Sequence, residues 1–143
     1  IACPATYYEN GEIQLLPKRL PKLKYLLAGR LPVFKEARRH YVMADEDLSK
    51  ITEVDFVTGC FMFMRTDLFK KVGGFDTRYF MYFEDVDLCY KVRKAGKKVF
   101  YLADAEMIHL HNQESTKKLT KMTIVHLKSM MKFYYKYYFK KFN

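Results

Sequence analysis

The chain has only three cysteines, Cys3, Cys60 and Cys89, and they form no C-x-x-C pair. Neither a zinc knuckle nor a disulfide framework is indicated. Small buried thiols in a reducing cytoplasm fit the pattern. A run of about 18 apolar residues is also missing, so no membrane span is expected. Acids are absent from residues 117–143, which carry eight lysines. Residues 41–116 carry 13 acids against 10 Lys/Arg, and residues 1–40 carry three against eight. The net charge of +10 therefore belongs to the two ends. A nucleic-acid binder would have a basic centre, so no nucleic-acid partner is expected.

What is present suits one domain with a real core: 143 residues, half of them hydrophobic and 17% aromatic. Asn10-Gly11, between Thr6-Tyr7-Tyr8 and Ile13-Gln14-Leu15, predicts a hairpin. Pro21 and Pro32 are placed to start short helices, the first stopping near Gly29. Lys18, Arg19, Lys22, Lys24, Arg38 and Arg39 make this stretch basic, either as a solvated face or as a contact for phosphate or membrane. Ala44 to Lys50 reads as a loop.

Val54 to Met64 is rich in β-branched and aromatic residues and reads as a buried strand. Gly59-Cys60 interrupts it, marking either a packing glycine or room for a ligand beside the backbone. Thr66 or Asp67 caps a short helix that Gly73-Gly74 closes. A second helix is predicted from Phe83 to Ala95, ended by Gly96, with Val86, Cys89, Tyr90 and Arg93 on one face. Lys97–Leu102 and Glu106–Leu110 read as two short strands around Ala103-Asp104-Ala105, and 111–115 as a polar loop. Thr116 to Phe142 predicts a long helix. Lys128, Lys132, Lys136 and Lys140 form a cationic stripe on it, beside Met122, Met130, Phe133, Tyr134, Tyr137 and Tyr138. That combination suits either an anionic membrane surface or an ordinary packed helix.

Glu84, Asp85 and Asp87 open the second helix, where acids meet free N–H groups and the positive helix end. Glu84 and Asp87 share a face and Asp85 points elsewhere. One of them is thus placed to face a cleft as a general base for a hydroxyl while the others fix the turn. His109 ends a strand and is either structural or a metal ligand. Asp45-Glu46-Asp47 contains a D-x-D pattern, but in a loop with no apolar strand before it.

Taken in order, Val54-Asp55-Phe56-Val57-Thr58-Gly59-Cys60, Val72-Gly73-Gly74-Phe75-Asp76, Phe80 to Cys89, Arg93-Lys94-Ala95-Gly96, and Ile108-His109 with Ser115-Thr116 resemble bacterial family 2 glycosyltransferases, in particular rhamnosyltransferase-like members. The resemblance implies the C-terminal, acceptor-side part of a GT-A fold, a Rossmann-like α/β nucleotide-diphospho-sugar transferase with a mixed sheet. Residues 1–116 would form that part and 117–143 a basic aromatic helix. It implies inverting transfer from a nucleotide diphosphate sugar to a saccharide or lipid-linked acceptor hydroxyl in cell-surface polysaccharide synthesis. It assigns the base to Asp85 with Glu84 beside it, the sugar-side small pair to Gly59 and Cys60, the acceptor-side turn to Gly74, Phe75 and Asp76, and a ligand of a divalent metal (Mn²⁺ or Mg²⁺) to His109.

The family's first strands and its nucleotide-binding D-x-D have no counterpart here. The expectation is therefore a fragment with an incomplete metal site, little activity alone, and open sheet edges that favour self-association. The expected location is the cytoplasm, peripheral on the inner membrane face through the C-terminal helix. The competing reading is a non-catalytic binding or membrane-associating module of the same fold.

Overall fold

The computed structural model describes residues 1–22, 35–110 and 121–139. Its centre is a three-stranded mixed sheet of β1 (Ala2–Tyr7), β2 (Thr52–Val54) and β3 (Val99–Ile108), in the order β1-β3-β2. β3 is parallel to β1 and antiparallel to β2. The helices are α1 (Lys35–Tyr41), α2 (Thr66–Lys71), α3 (Glu84–Lys94) and α4 (Lys121–Tyr134), the last running on into a π-helical turn, Tyr135–Phe139. This is the mixed α/β arrangement with a long C-terminal helix that the resemblance implied.

The Asn10-Gly11 hairpin forms as expected. Gly11 takes φ 81°, Tyr8 N–H donates to Glu12 O, and Tyr7 bridges Ile13. Along the outer edge of β1, Ala2 pairs with Phe63, Gln14 N–H donates to Thr6 O, and Pro4 between them has no N–H to offer. That edge of β1 is therefore covered.

Three expectations change. Val54 to Met64 is not a continuous strand: β2 ends at Val54, and Phe56 and Phe63 form only isolated bridges, to Lys18 and Ala2. Val54, Phe56 and Val57 are buried, so the composition reported burial rather than ladder pairing. The two short strands after Gly96 are one strand, β3, whose register jumps between Leu102 and Glu106, leaving Ala103-Asp104-Ala105 out of the ladder. The cap of α2 is neither Thr66 nor Asp67. Arg65 occupies the N-cap position without a side-chain bond, and Asp67 pairs with Arg65. Gly73 and Gly74 do close α2, at φ 81° and 57°. The helices expected from Pro21 to Gly29 and at Pro32, and the loop 111–115, fall largely or wholly outside the described residues.

Val86, Cys89 and Val92 of α3 are buried, and Val86 and Cys89 join Cys3, Ala5, Val99 and Tyr101 of the sheet in one core. α4 closes that core with Met130 and Phe133, the latter against Phe83 at 5.6 Å between ring centroids. No helix among the described residues is long and apolar enough to cross a membrane.

Candidate active site

The turn into α3 is unusual. Tyr82 and Phe83 both have left-handed backbones, φ 66° and 69°, which costs side-chain-bearing residues about 1–2 kcal/mol each. α4 holds this turn in place. Ser129 Oγ donates to Met81 O at 2.8 Å, and the His126 ring packs edge-on against Tyr82 and Phe83 at 5.2 and 5.4 Å. The chain reverses there and delivers Glu84 and Asp85 to a cavity of about 460 Å³. Gly59 and Cys60, His109 and His126, and Lys18 also line it.

Asp85 is gripped by backbone. Its Oδ2 accepts from Gly59 N–H at 3.0 Å and its Oδ1 from Val86 N–H at 2.7 Å. Burial pushes its pKa above the ordinary carboxylate range, against the pull of the Val86 N–H, the Lys18 charge and the Gly59 N–H. Burial also raises Glu84, with repulsion from Asp85 adding to it, and Glu84 Oε2 has no hydrogen-bond partner among the described residues. Gly59 lies in a turn rather than a strand, and its lack of a side chain leaves the faces of both carboxylates uncovered.

Lys18 is fixed by a doubly hydrogen-bonded bridge to Phe56, Lys18 N–H to Phe56 O at 3.0 Å and Phe56 N–H to Lys18 O at 3.1 Å. Its ammonium sits 5.8 Å from the centroid of the Phe56 ring. Burial lowers the Lys18 pKa, and Asp85 acts in the other direction. Neighbouring bonds hold the segment: Leu20 N–H donates to Asp55 Oδ2, Asp55 pairs with Arg93, and Arg19 pairs with Asp45 and Glu46. Asp45 and Glu46 are thus occupied by Arg19.

His109 is oriented by the buried Gln14. The Gln14 amide donates Nε2–H to Tyr7 O and His109 O, which leaves its Oε1 to accept from His109 Nδ1 at 3.1 Å. A His109 with its proton on Nδ1 carries its lone pair on Nε2. Metal-binding histidines are commonly oriented in this way, the other ring nitrogen donating to a carbonyl. No cluster of three or more potential metal ligands occurs among the described residues.

Asp87 does not share a role with Glu84. It is fully buried, and its Oδ1 accepts from Lys136 Nζ at 2.6 Å and Tyr137 OH at 2.7 Å. Lys136 also reaches Asp76 Oδ2 at 2.8 Å, and Arg78 pairs with the same carboxylate. Lys136 is thus turned inward rather than displayed in a cationic stripe, and Lys140 lies outside the described residues. Gly59, Cys60, Glu84, Asp85 and His109 converge on the cavity; Gly74, Phe75 and Asp76 do not line it. Gly74 packs on the Phe69 ring, Phe75 meets that ring edge-on, and Asp76 anchors Arg78 and Lys136. Sequence reasoning missed Gln14 and His126 as site residues and left Lys18 in a general basic stretch. Lys18 and His126 reach the cavity, and Gln14 reaches His109 behind it, through tertiary contacts that no local pattern signals.

The family described as "Glycosyltransferase like family 2" matches residues 24–125. Over 88 residues, 62% of the chain, it is 36% identical to "Rhamnosyltransferase WbbL" of Escherichia coli, covering 33% of that protein. Over 63 residues, 44% of the chain, it is 46% identical to "N-acetylglucosaminyl-diphospho-decaprenol L-rhamnosyltransferase" of Mycobacterium tuberculosis, covering 20% of that protein. The chain thus spans about a third or less of the length of these relatives. No solved structure matches it.

Proposed function

The chain belongs to glycosyltransferase family 2, and on that premise we propose that it supplies the acceptor-activating part of an inverting sugar transferase of cell-surface polysaccharide synthesis. The donor is a nucleotide diphosphate sugar, and rhamnose is the first sugar to test, since both relatives are named rhamnosyltransferases. The acceptor is a saccharide or lipid-linked hydroxyl. Because the chain spans about a third or less of these relatives' length, the reaction proposed is that of the whole protein.

One observation carries the reading: a carboxylate held by two backbone N–H groups in a cavity that also contains Glu84 and His109. Asp85 takes the proton of the acceptor hydroxyl as its oxygen attacks the anomeric carbon and the nucleoside diphosphate leaves from the opposite face. Burial makes Asp85 a stronger base, and Lys18 favours its ionised form. Gly59 and Cys60 leave space for the sugar beside the base. Asp76 belongs to the acceptor side through its hold on Arg78 and Lys136, with Gly74 and Phe75 shaping the turn before it. His109 Nε2 suits one ligand position of Mn²⁺ or Mg²⁺, with further ligands supplied from outside the described residues. When bound, such a cation neutralises charge on the diphosphate.

The test is Asp85→Asn in the full-length protein, assayed for sugar transfer. Loss of about 10²-fold or more in kcat supports the base role, and unchanged transfer removes it.

A second reading, membrane association, is favoured by the outer face of α4. Ile124 and Met131 there, and Tyr135 and Phe139 in the π-helical turn that continues it, are each at least half exposed, alongside exposed Lys128 and Lys132. Such a face rests in the headgroup region of an anionic bilayer and would place the protein peripherally on the inner membrane face. Flotation with phosphatidylglycerol vesicles tests it; equal association with phosphatidylcholine vesicles, or none with either, removes it. Self-association is tested by sedimentation over a range of concentrations.

A further inference from the structure

A second cleft, of about 470 Å³, lies between α4 and the loop before α3, lined by Arg78, Tyr79, Lys132, Tyr135 and Lys136. Every charged residue in its lining is a cation. Two carboxylates lie beneath them, Asp76 with its side chain 11% exposed and Asp87 fully buried, and Lys136 pairs with both. Arg78 directs Nε and Nη2 onto Asp76, which fixes the plane of a guanidinium that is itself 68% exposed. Lys132 donates to the Arg78 carbonyl and has no carboxylate partner among the described residues. With Lys91, which also pairs with Asp87 from outside the lining, four cations face two acids, and the surplus positive charge lies at the solvent rim.

We propose that the Arg78–Lys132 cleft binds the phosphate group of a lipid-linked acceptor, an inference that rests on the acceptor class given above. A pre-oriented guanidinium beside a point-charge ammonium recognises a phosphate or diphosphate. Scattered lysines would be enough for a flat anionic surface, whereas this is a cleft between two tyrosines. Its position suits one extended ligand. The loop that supplies Arg78 and Tyr79 continues into Met81–Asp85 of the catalytic cavity, and α4 supplies His126 to that cavity and Lys132 to this cleft. Six residues of helix separate the two positions by about 9 Å along the axis, on the scale of a monosaccharide with its diphosphate. Beyond Tyr135 the exposed Tyr138 and Phe139 continue as apolar surface on which a prenyl chain can lie.

The test uses the full-length protein without sugar donor, titrated with farnesyl diphosphate, farnesol, and phosphatidylglycerol vesicles. Saturable binding of farnesyl diphosphate, about ten-fold tighter than farnesol, is expected. Arg78→Met and Lys132→Met should each weaken it by about ten-fold, while Lys128→Met on the same helix leaves it unchanged. Inorganic pyrophosphate should compete on the unsubstituted protein, which answers the question without any variant. The proposal is overturned by failure to compete, by equal binding of farnesol, by binding to vesicles only, or by an equal effect of Lys128→Met. No turnover is measured, so the outcome is separable from the base assignment. If Asp85→Asn transfers sugar normally while diphosphate binding depends on Arg78 and Lys132, Asp85 loses its role and the cleft keeps its own.

Discussion

Gly59 donates its backbone N–H to Asp85 Oδ2 at 3.0 Å, and a Cβ built on Gly59 would stand 3.6 Å from Asp85 Cβ and 3.9 Å from Glu84 Oε1. These are ordinary van der Waals separations, and Gly59 has no left-handed backbone to protect. Gly59→Ala should therefore fold with a stability change within about 0.5 kcal/mol. Gly59→Val should fold comparably but cover the carboxylates, reducing sugar transfer far more than alanine does. Urea denaturation and turnover measured in parallel check this. Equal activity of the two variants would show that the space beside Gly59 is not used.

Asp85 has its pKa raised by burial and pulled back by Lys18. A general base works when deprotonated, so kcat/KM should rise with pH through a midpoint above the ordinary carboxylate range. Lys18→Met removes the charge that favours the ionised form, so the midpoint should move to higher pH, with activity recovering there. Lys18→Arg should keep it in place. Glu84, Cys60, Tyr41, Tyr82, His109 and His126 also line the cavity and are present in both variants, so the comparison of Lys18→Met with Lys18→Arg isolates the charge at position 18. A pH profile unmoved by Lys18→Met would separate Lys18 from the base.

Glu84 is also raised by burial. A carboxyl whose folded pKa lies above its unfolded value favours the folded state most when protonated. That contribution is lost as pH rises through the folded pKa. Glu84→Gln removes the ionisation, so its thermal midpoint should exceed that of the unsubstituted protein at about pH 8, with the gap closing as pH falls toward about 4. A gap that widens on acidification would contradict the raised pKa.

Local signals account for what was readable in advance. α3 is announced by Glu84, Asp85 and Asp87 at its start and Gly96 after its end, and the hairpin by Asn10-Gly11. Helical spacing grouped Glu84 with Asp87, yet the environment divides the acids otherwise, because Lys136 and Tyr137 reach Asp87 from about fifty residues away. Gln14 meets His109 across 95 positions. Contacts at such range leave no periodicity, so the carboxylates and the histidine were legible while their partners were not.

The Asp87 cluster ties the C-terminal helix to α3. Lys136→Met leaves a fully buried carboxylate with Tyr79, Tyr137 and Lys91 as its remaining partners among the described residues. The loss should be about 2–3 kcal/mol, since stranding one member of a buried pair is costly and the remaining donors offset part of it. Asp87→Asn combined with Lys136→Met should recover part of that loss. Chemical denaturation of the single and double variants measures the coupling, and additive effects would mean that Lys136 acts on stability through Asp76 alone.

Tyr82 tests whether the turn into α3 is strained. At φ 66° a side chain is penalised and glycine is not. Both Tyr82→Ala and Tyr82→Gly lose the ring contact with His126 at 5.2 Å, so that loss cancels between them. The usual order, in which alanine is the more stable, should then reverse, with Tyr82→Gly more stable than Tyr82→Ala by about 1 kcal/mol. Equal stabilities, or alanine ahead, would mean that the turn relaxes once the ring is gone. In that case it is the packing of His126, Ser129 and Phe133, rather than the backbone of residue 82, that sets the direction in which Glu84 and Asp85 enter the cavity.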